Sequence, residues 1–319
     1  MAGVGLCALP SSSQERADSR KVKVGWLALG ESIYKEPYSQ AFLERMRENG
    51  FSEGVNLVVD KRHGNGNIDR LESAALDLVQ AKPDVIFASG GEAGLLALKK
   101  ASKSIPSVFV AVDFDPVQAG YFSSISRPEG VLTGVSANQA LLPAKRLEIL
   151  KVLLPRVKKV AVFANPQTAG QLAVVRNAAD VLALYLNIHE FKTLPYNFEA
   201  AFAKALQTRC DALLVLGSSL FVSARNKLPQ LATANRLPSV FHHAQWTEAG
   251  GLFSYGYNFP KLWQMGADMV NKVLHGVPIA ELPVEFPTTF ELAINLTTAR
   301  LLKIDIPYEM RLRADRFIT

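Results

Sequence analysis

Apolar residues recur along this chain with two different periods. From Lys21 onward, short β-branched runs alternate with longer stretches whose apolar positions repeat every three to four residues. The short runs predict strands at 22–29, 56–61, 84–88 and 107–112. The longer stretches predict helices at 39–49, 68–81 and 91–103. In the first of these, Ala41, Phe42, Leu43 and Met46 make one apolar face and Gly50 marks the end. A crossover helix is expected at 143–153. The alternation then restarts, with strands at 159–163, 188–192, 211–216 and 239–241 and helices at 168–186, 197–208 and 220–235. Strands alternating with helices predict an α/β fold with parallel sheets covered on both faces.

The second half echoes the first. Val22-Lys23-Val24-Gly25-Trp26 parallels Lys159-Val160-Ala161-Val162-Phe163, and Ile105-Pro106-Ser107-Val108-Phe109 parallels Leu237-Pro238-Ser239-Val240-Phe241. Matches in the same order predict two Rossmann-like lobes on one βα plan. The tail does not fit two beads on a string. A long helix is expected at 258–274, closed by Gly276; prolines 278, 283 and 287 then punctuate an extended segment. A strand at 290–295, a short helix at 297–303 and a final turn through Phe317 follow. A tail of this kind can return to the first lobe and recross to the second. The expected division is 21–136 plus 257–284 for one lobe and 137–256 plus 285–319 for the other, joined by a multi-strand hinge.

Length and charge narrow the classes. At 319 residues, two domains are expected. Apolar residues make up 49% and charged residues 20%, an ordinary globular balance that argues against disorder. The net charge is +6, but the lysines and arginines are scattered, with no basic stripe suited to nucleic acid. No apolar run reaches the roughly 18 residues of a membrane span. Cys7 and Cys210 are the two cysteines, with no CxxC and no cysteine–histidine cluster, so neither a disulfide framework nor a metal site is expected. Cys210 reads as an inert thiol. Residues 1–20 hold a short apolar stretch followed by a polar one. They read either as the end of an export signal that begins upstream or as an unstructured leader.

In open parallel sheets, ligands bind beyond the carboxyl ends of the strands, where helix N-termini present free N–H groups. That rule selects Gly30-Glu31-Ser32-Ile33-Tyr34, Ser89-Gly90-Gly91-Glu92, Asp113-Phe114-Asp115-Pro116, Asn165-Pro166-Gln167-Thr168, Gly217-Ser218-Ser219 and His242-His243. Glycines after the 84–88 strand admit a ligand close to the backbone, and the helix start there suits a carboxylate or phosphate. A dinucleotide site is not expected, because the first strand lacks GxGxxG and no P-loop occurs. Asp113 can face the cleft, with Asp115 capping a helix. Adjacent histidines on a strand point to opposite faces, so His242 and His243 are not a chelating pair. Aromatic residues near these loops (Tyr34, Tyr38, Trp246, Tyr255, Tyr257) can stack on a planar ligand.

Several long motifs, in order, carry a family resemblance. They include Gly50-Phe51-Ser52-Glu53-Gly54-Val55-Asn56-Leu57, Arg127-Pro128-Glu129-Gly130-Val131-Leu132-Thr133-Gly134 and Lys145-Arg146-Leu147-Glu148-Ile149-Leu150. Glu248-Ala249-Gly250-Gly251-Leu252-Phe253-Ser254-Tyr255-Gly256, Phe290-Glu291-Leu292-Ala293-Ile294-Asn295 and Arg313-Ala314-Asp315 complete the set. The chain resembles the tryptophan-binding-protein-like substrate-binding proteins of ABC transporters, with a type 1 periplasmic binding protein fold. The resemblance implies capture of a small solute between two lobes, hinge closure and delivery to a membrane permease. It implies an exported, periplasmic protein, a monomer, without cofactor, catalysis or nucleic-acid partner.

The strand-end rule and the resemblance together yield a candidate ligand-binding set. It comprises Ser32, Tyr34, Ser89, Gly90, Gly91, Asp113, Ser136, Asn138, Asn165, Gln167, Ser218, His243, Tyr255 and Asn258. Amino-acid binders of the family carry a hydroxyl residue where this chain has Gly91, and an acidic residue near Asn258. Two other readings stay open on the residues alone. One is the effector module of a transcriptional regulator, although twenty residues before the first strand are too few for a helix-turn-helix unit. The other is a cleft enzyme using Asp113 and His243 as acid and base.

Overall fold

The computed structural model describes residues 21–319 except Gly90, Asp113, Phe114, Asp115, Gln118, Glu129, Gln139 and Leu194. The leader with Cys7, the expected Asp115 cap and the two loop candidates Gly90 and Asp113 therefore lie outside the described residues.

The first run of elements is β1 (Val22–Ala28), α1 (Pro37–Glu48), β2 (Leu57–His63), α2 (Ile68–Gln80), β3 (Val85–Ala88), α3 (Gly91–Ala101), β4 (Ser107–Val112) and β5 (Leu132–Ala137). Its five strands form an all-parallel sheet in the order β2-β1-β3-β4-β5. The second run is α4 (Leu142–Leu153), β6 (Lys159–Ala164), α5 (Ala169–Val181), β7 (Tyr185–Glu190), α6 (Phe198–Gln207), β8 (Ala212–Val215), α7 (Lys227–Ala234), β9 (Ser239–Phe241), α8 (Ala244–Glu248) and β10 (Phe253–Tyr257). After α9 (Phe259–Leu274) come β11 (Phe290–Asn295), α10 (Leu296–Leu301), α11 (Tyr308–Arg313) and β12 (Arg316–Ile318). These strands make a seven-stranded sheet, β12-β11-β10-β9-β8-β6-β7. The expected parallel pairing holds throughout with one departure: β10 and β11 run antiparallel.

The central strands show why the chain folds this way. Every residue of β3 and of β8 is buried, the continuous apolar pattern of strands covered on both faces. Asn67, Asn197, Asn258 and Asn295 accept backbone N–H groups at the starts of α2, α6, α9 and α10. Under the first sheet, Phe42 stacks on Phe87 with centroids 4.2 Å apart, and Trp26 packs against both.

The chain crosses between the sheets more than once. After β10 joins the seven-stranded sheet, α9 lies against α1, β3, β4 and β5 of the other. Gly266 permits that contact, because a Cβ there would meet Phe87 and Val110 at 2.8 Å. The chain then runs beside β5, where Ser136 N–H donates to the Glu285 carbonyl at 2.9 Å, before entering β11.

Several elements differ from expectation. The helix expected at 168–186 ends at Val181, where Ala183 turns left-handed at φ 53°, and β7 begins at Tyr185. The run Leu182-Ala183-Leu184-Tyr185-Leu186 is apolar enough to be read either way. The helix expected at 220–235 is broken into a 3-10 turn, Ser219–Ala224, and α7, with Arg225 and Asn226 between them. Strands β5, β10 and β12 and helix α8 were not predicted. β5 and β10 each contain a glycine, a residue that weakens a strand signal.

Candidate functional site

Loops at the carboxyl ends of the first sheet supply one side of the site. After β1, the Tyr34 hydroxyl donates to the Trp26 carbonyl at 3.1 Å and also reaches the Arg62 carbonyl. Burial raises the Tyr34 phenol well above its ordinary range, so it stays protonated. After β3, Ser89 Oγ accepts from the Trp26 indole N–H at 2.8 Å. Gly91 opens α3 with φ +64°, a conformation suited to glycine. Ser136 is wholly buried, one residue before the carboxyl end of β5. Asn138 follows β5; its side chain accepts from Ala140 N–H and its carbonyl accepts from the Tyr257 hydroxyl at 2.9 Å.

The second sheet gathers three of the expected residues into one knot. Asn165 Nδ2 donates to Ser218 Oγ at 2.7 Å, and Ser218 Oγ donates to Gln167 Oε1 at 2.7 Å. Asn165 also forms a capping box with Thr168. Gln171, which sequence reasoning passed over, pairs with both backbone groups of Gly217 at 2.7 and 3.1 Å. That pairing holds the loop carrying Ser218.

A wall of rings lines the seam between the sheets. His243 lies 4.4 Å from Phe259 by ring centroids, Tyr38 lies 4.4 Å from Trp263, and Phe259 bridges the two pairs. Tyr38 and Trp263 come from α1 and α9, His243 from the end of β9. Burial raises the Tyr38 phenol out of the physiological range, helped by the charge of Glu36. Beside this wall, Glu36, Arg225 and Gln245 join loops from both sheets by side-chain hydrogen bonds. Asn258 sits at the seam as the cap of α9. Tyr255 lies mid-strand in β10, and its carbonyl accepts from the buried Arg146 at 2.7 Å.

Sequence reasoning missed Phe259, Trp263, Glu36, Arg225 and Gln245. The aromatic pair at i and i+4, directly after the Asn258 cap, was a signal that could have found the first two. Arg225 was hidden inside a stretch with helical periodicity.

The chemistry this arrangement supports is recognition. The ring of His243 is pushed down to about 3 by burial and then by the charges of Arg225 and Arg146, so it is uncharged at neutral pH. His242 and His243 do lie side by side, 4.6 Å apart and perpendicular, because His243 leaves the strand to cap α8. Among the described residues no group of three or more histidine, cysteine, aspartate or glutamate side chains could hold a metal ion. Cys210 is a half-buried free thiol whose pKa burial raises, which keeps it unreactive. Among the described residues no helix is long and apolar enough to cross a membrane.

Comparison with known proteins agrees with this geometry. A tyrosine-binding protein of Clostridioides difficile (strain R20291) is 25% identical over 298 residues, covering 92% of this chain and 84% of that one. The structure of an ABC domain in complex with L-Trp from Streptococcus pneumonia superposes with a TM-score of 0.78 at 20% identity, covering 93% of this chain and all 100% of that one. The ligand-free, open structure of a substrate-binding protein with adhesive properties from Clostridium difficile gives a TM-score of 0.71 at 23% identity, covering 93% and 99%. The model of the family described as ABC transporter substrate binding protein matches residues 22–318. With nearly the whole described chain inside that match, and two sheets meeting at their strand ends, the chain belongs to the ABC transporter substrate-binding protein family.

Proposed function

We propose that this protein captures an aromatic, carboxylate-bearing solute, amino-acid-like in size, and delivers it to the permease of an ABC importer. The observation that carries the reading is the ring wall of Tyr38, His243, Phe259 and Trp263, in which α1 and α9 of the first sheet's side meet His243 at the end of β9. Rings supply a flat apolar surface for a planar ligand. Ser89 and Gly91 at the start of α3 receive the carboxylate, and Asn165, Gln167 and Ser218 bond the ligand from the opposite side. Tyr34, Asn138, Tyr255 and Asn258 complete the surround. The tyrosine-binding relative supports the aromatic assignment.

Two lobes, 21–136 with 257–284 and 137–256 with 285–319, close on the solute about the hinge strands. Closure excludes water and strengthens the polar contacts. The protein works outside the cytoplasm as a monomer, binds no nucleic acid and leaves its solute chemically unchanged. The tyrosine-binding and L-Trp-bound relatives favour an amino acid. Gly91 and Asn258, in place of a hydroxyl and an acid, favour an acid without an ammonium group.

Thermal-shift measurements with L-tyrosine, L-tryptophan, aromatic acids lacking an amino group and short dicarboxylates test the reading. A ligand at a hundred times its Kd should add about 2.7 kcal/mol of stability. Stabilisation by an aromatic member alone is the expected result. No response to any aromatic member would sink the proposal. DNA binding at low salt would favour the regulator reading, and turnover of a bound ligand the enzyme reading.

A further inference from the structure

We propose that Glu36, Arg225 and Gln245 form a latch that holds the two strand-end faces together and sets how fast a bound solute leaves. The residues come from both halves of the molecule. Glu36 ends the turn after β1 and precedes Pro37 at the start of α1, which packs with the five-stranded sheet. Arg225 follows the turn after β8, and Gln245 lies in α8 after β9; both belong to the seven-stranded sheet.

Their side chains close a triangle. Arg225 Nη1 donates to Glu36 Oε1 at 3.0 Å, to Glu36 Oε2 at 3.1 Å and to Gln245 Oε1 at 2.8 Å. Gln245 Nε2 completes it, donating to Glu36 Oε2 at 3.0 Å. Both carboxylate oxygens are thus engaged, and the amide is oriented by its two bonds. Side-chain exposure is 27% for Arg225 and 13% for Glu36, so solvent screens this pair less than a surface ion pair.

Position distinguishes this pair from the others. Arg45–Asp268 joins α1 to α9 on the five-stranded sheet, and Lys227–Glu199 joins α7 to α6 on the seven-stranded one. Among the described ion pairs, Glu36–Arg225 is the one that links strand-end loops of the two sheets. Charged hydrogen bonds of this kind exist only while the two faces are together, so they weigh on the closed arrangement and on release. The latch also stands beside the ring wall, since the charge of Arg225 acts on both His243 and Tyr38. Glu36, Arg225 and Gln245 are positioning residues: they hold the walls that hold the solute. The inference rests on the cleft being the solute site, yet its test can fail separately.

Stopped-flow measurement of L-tyrosine release is the test. Glu36→Gln and Arg225→Gln, each melting as the wild type does without solute, should release L-tyrosine about tenfold faster. Association should change by less than about twofold. The wild-type release rate should rise with ionic strength, and that of Arg225→Gln should not. The exchanged pair, Glu36→Arg with Arg225→Glu, should recover slow release. Equal release rates in the wild type and both single variants would overturn the latch and leave tyrosine binding standing. If the wild type binds neither L-tyrosine nor L-tryptophan, small-angle scattering of the free chain decides the latch. Arg225→Glu, which sets two carboxylates face to face, should enlarge the radius of gyration; an unchanged radius would overturn it.

Discussion

The indole Nε1 of Trp246 donates to Nε2 of His243 at 3.2 Å. An indole N–H only donates, so Nε2 must accept, and the single ring proton of His243 sits on Nδ1. A second proton would set two donors against each other. His242, buried alongside, is likewise held well below its ordinary value by burial, by His243 and by Arg146.

This pair predicts a pH dependence of stability. The unfolded chain protonates a histidine near 6.5, whereas folded His243 resists down to about 3. Below 6.5 the unfolded state therefore binds more protons. The stability present above that pH is lost as pH falls toward 3, with a slope of at most about 1.4 kcal/mol per pH unit from this residue. Urea unfolding at pH 7, 6, 5 and 4 (roughly one-unit steps across the window) checks it. His243→Gln should flatten the profile, and an equally steep profile in that variant would refute the assignment.

Ser89 predicts a coupled loss. Its hydroxyl is the acceptor for Trp26, whose indole is completely buried. Ser89→Ala leaves that N–H unsatisfied and should cost about 1–3 kcal/mol. Affinity for L-tyrosine should fall as well. Chemical denaturation with calorimetric titration separates the two effects, and unchanged stability would contradict the buried bond.

Two glycines should respond in opposite directions to alanine. At Gly256 in β10, a Cβ would lie 1.8 Å from the His242 carbonyl oxygen, which forces β9 and β10 apart. Gly256→Ala should destabilise by about 1–3 kcal/mol or more. Gly170 lies in α5 with open space around it, so Gly170→Ala should stabilise by roughly 0.5–1 kcal/mol. Melting temperatures of the two variants on opposite sides of the wild type are the expected outcome.

The knot at the second sheet predicts a division of labour. Asn165→Ala removes a helix cap and should cost about 1 kcal/mol. Ser218→Ala removes the acceptor of Asn165 Nδ2 and of Leu220 N–H and should cost about 1–3 kcal/mol, and it should also weaken L-tyrosine binding about tenfold. Gln171→Leu, which frees the Gly217 peptide, should weaken binding without touching the ligand. Full affinity in all three variants would remove this knot from the site.

Strand-end loops were legible in the residues because the βα alternation is local. Apolar runs at β1, β3, β4, β6 and β8, bounded by Pro83 and Pro106, declare parallel sheets, and the loop after each strand follows directly. Ser89, Asn165, Gln167, Ser218 and His243 lie in or beside the loops that this rule selects. Other features depend on residues far apart in the chain. Glu36 and Arg225 are 189 positions apart, and no local period links them. Ser136 shared the polarity of the loop residues, but only the pairing of β5 with β4 shows it buried inside a strand. The apolar run at 182–186 satisfied helix and strand alike until β7 paired with β6. By itself the sequence determined the repeated α/β plan and the loops in which to look, because periodicity and turn chemistry act over a few residues. The tertiary structure alone decided which rings face one another and which charges meet, because those relations arise when a chain that crosses repeatedly brings two sheets end to end.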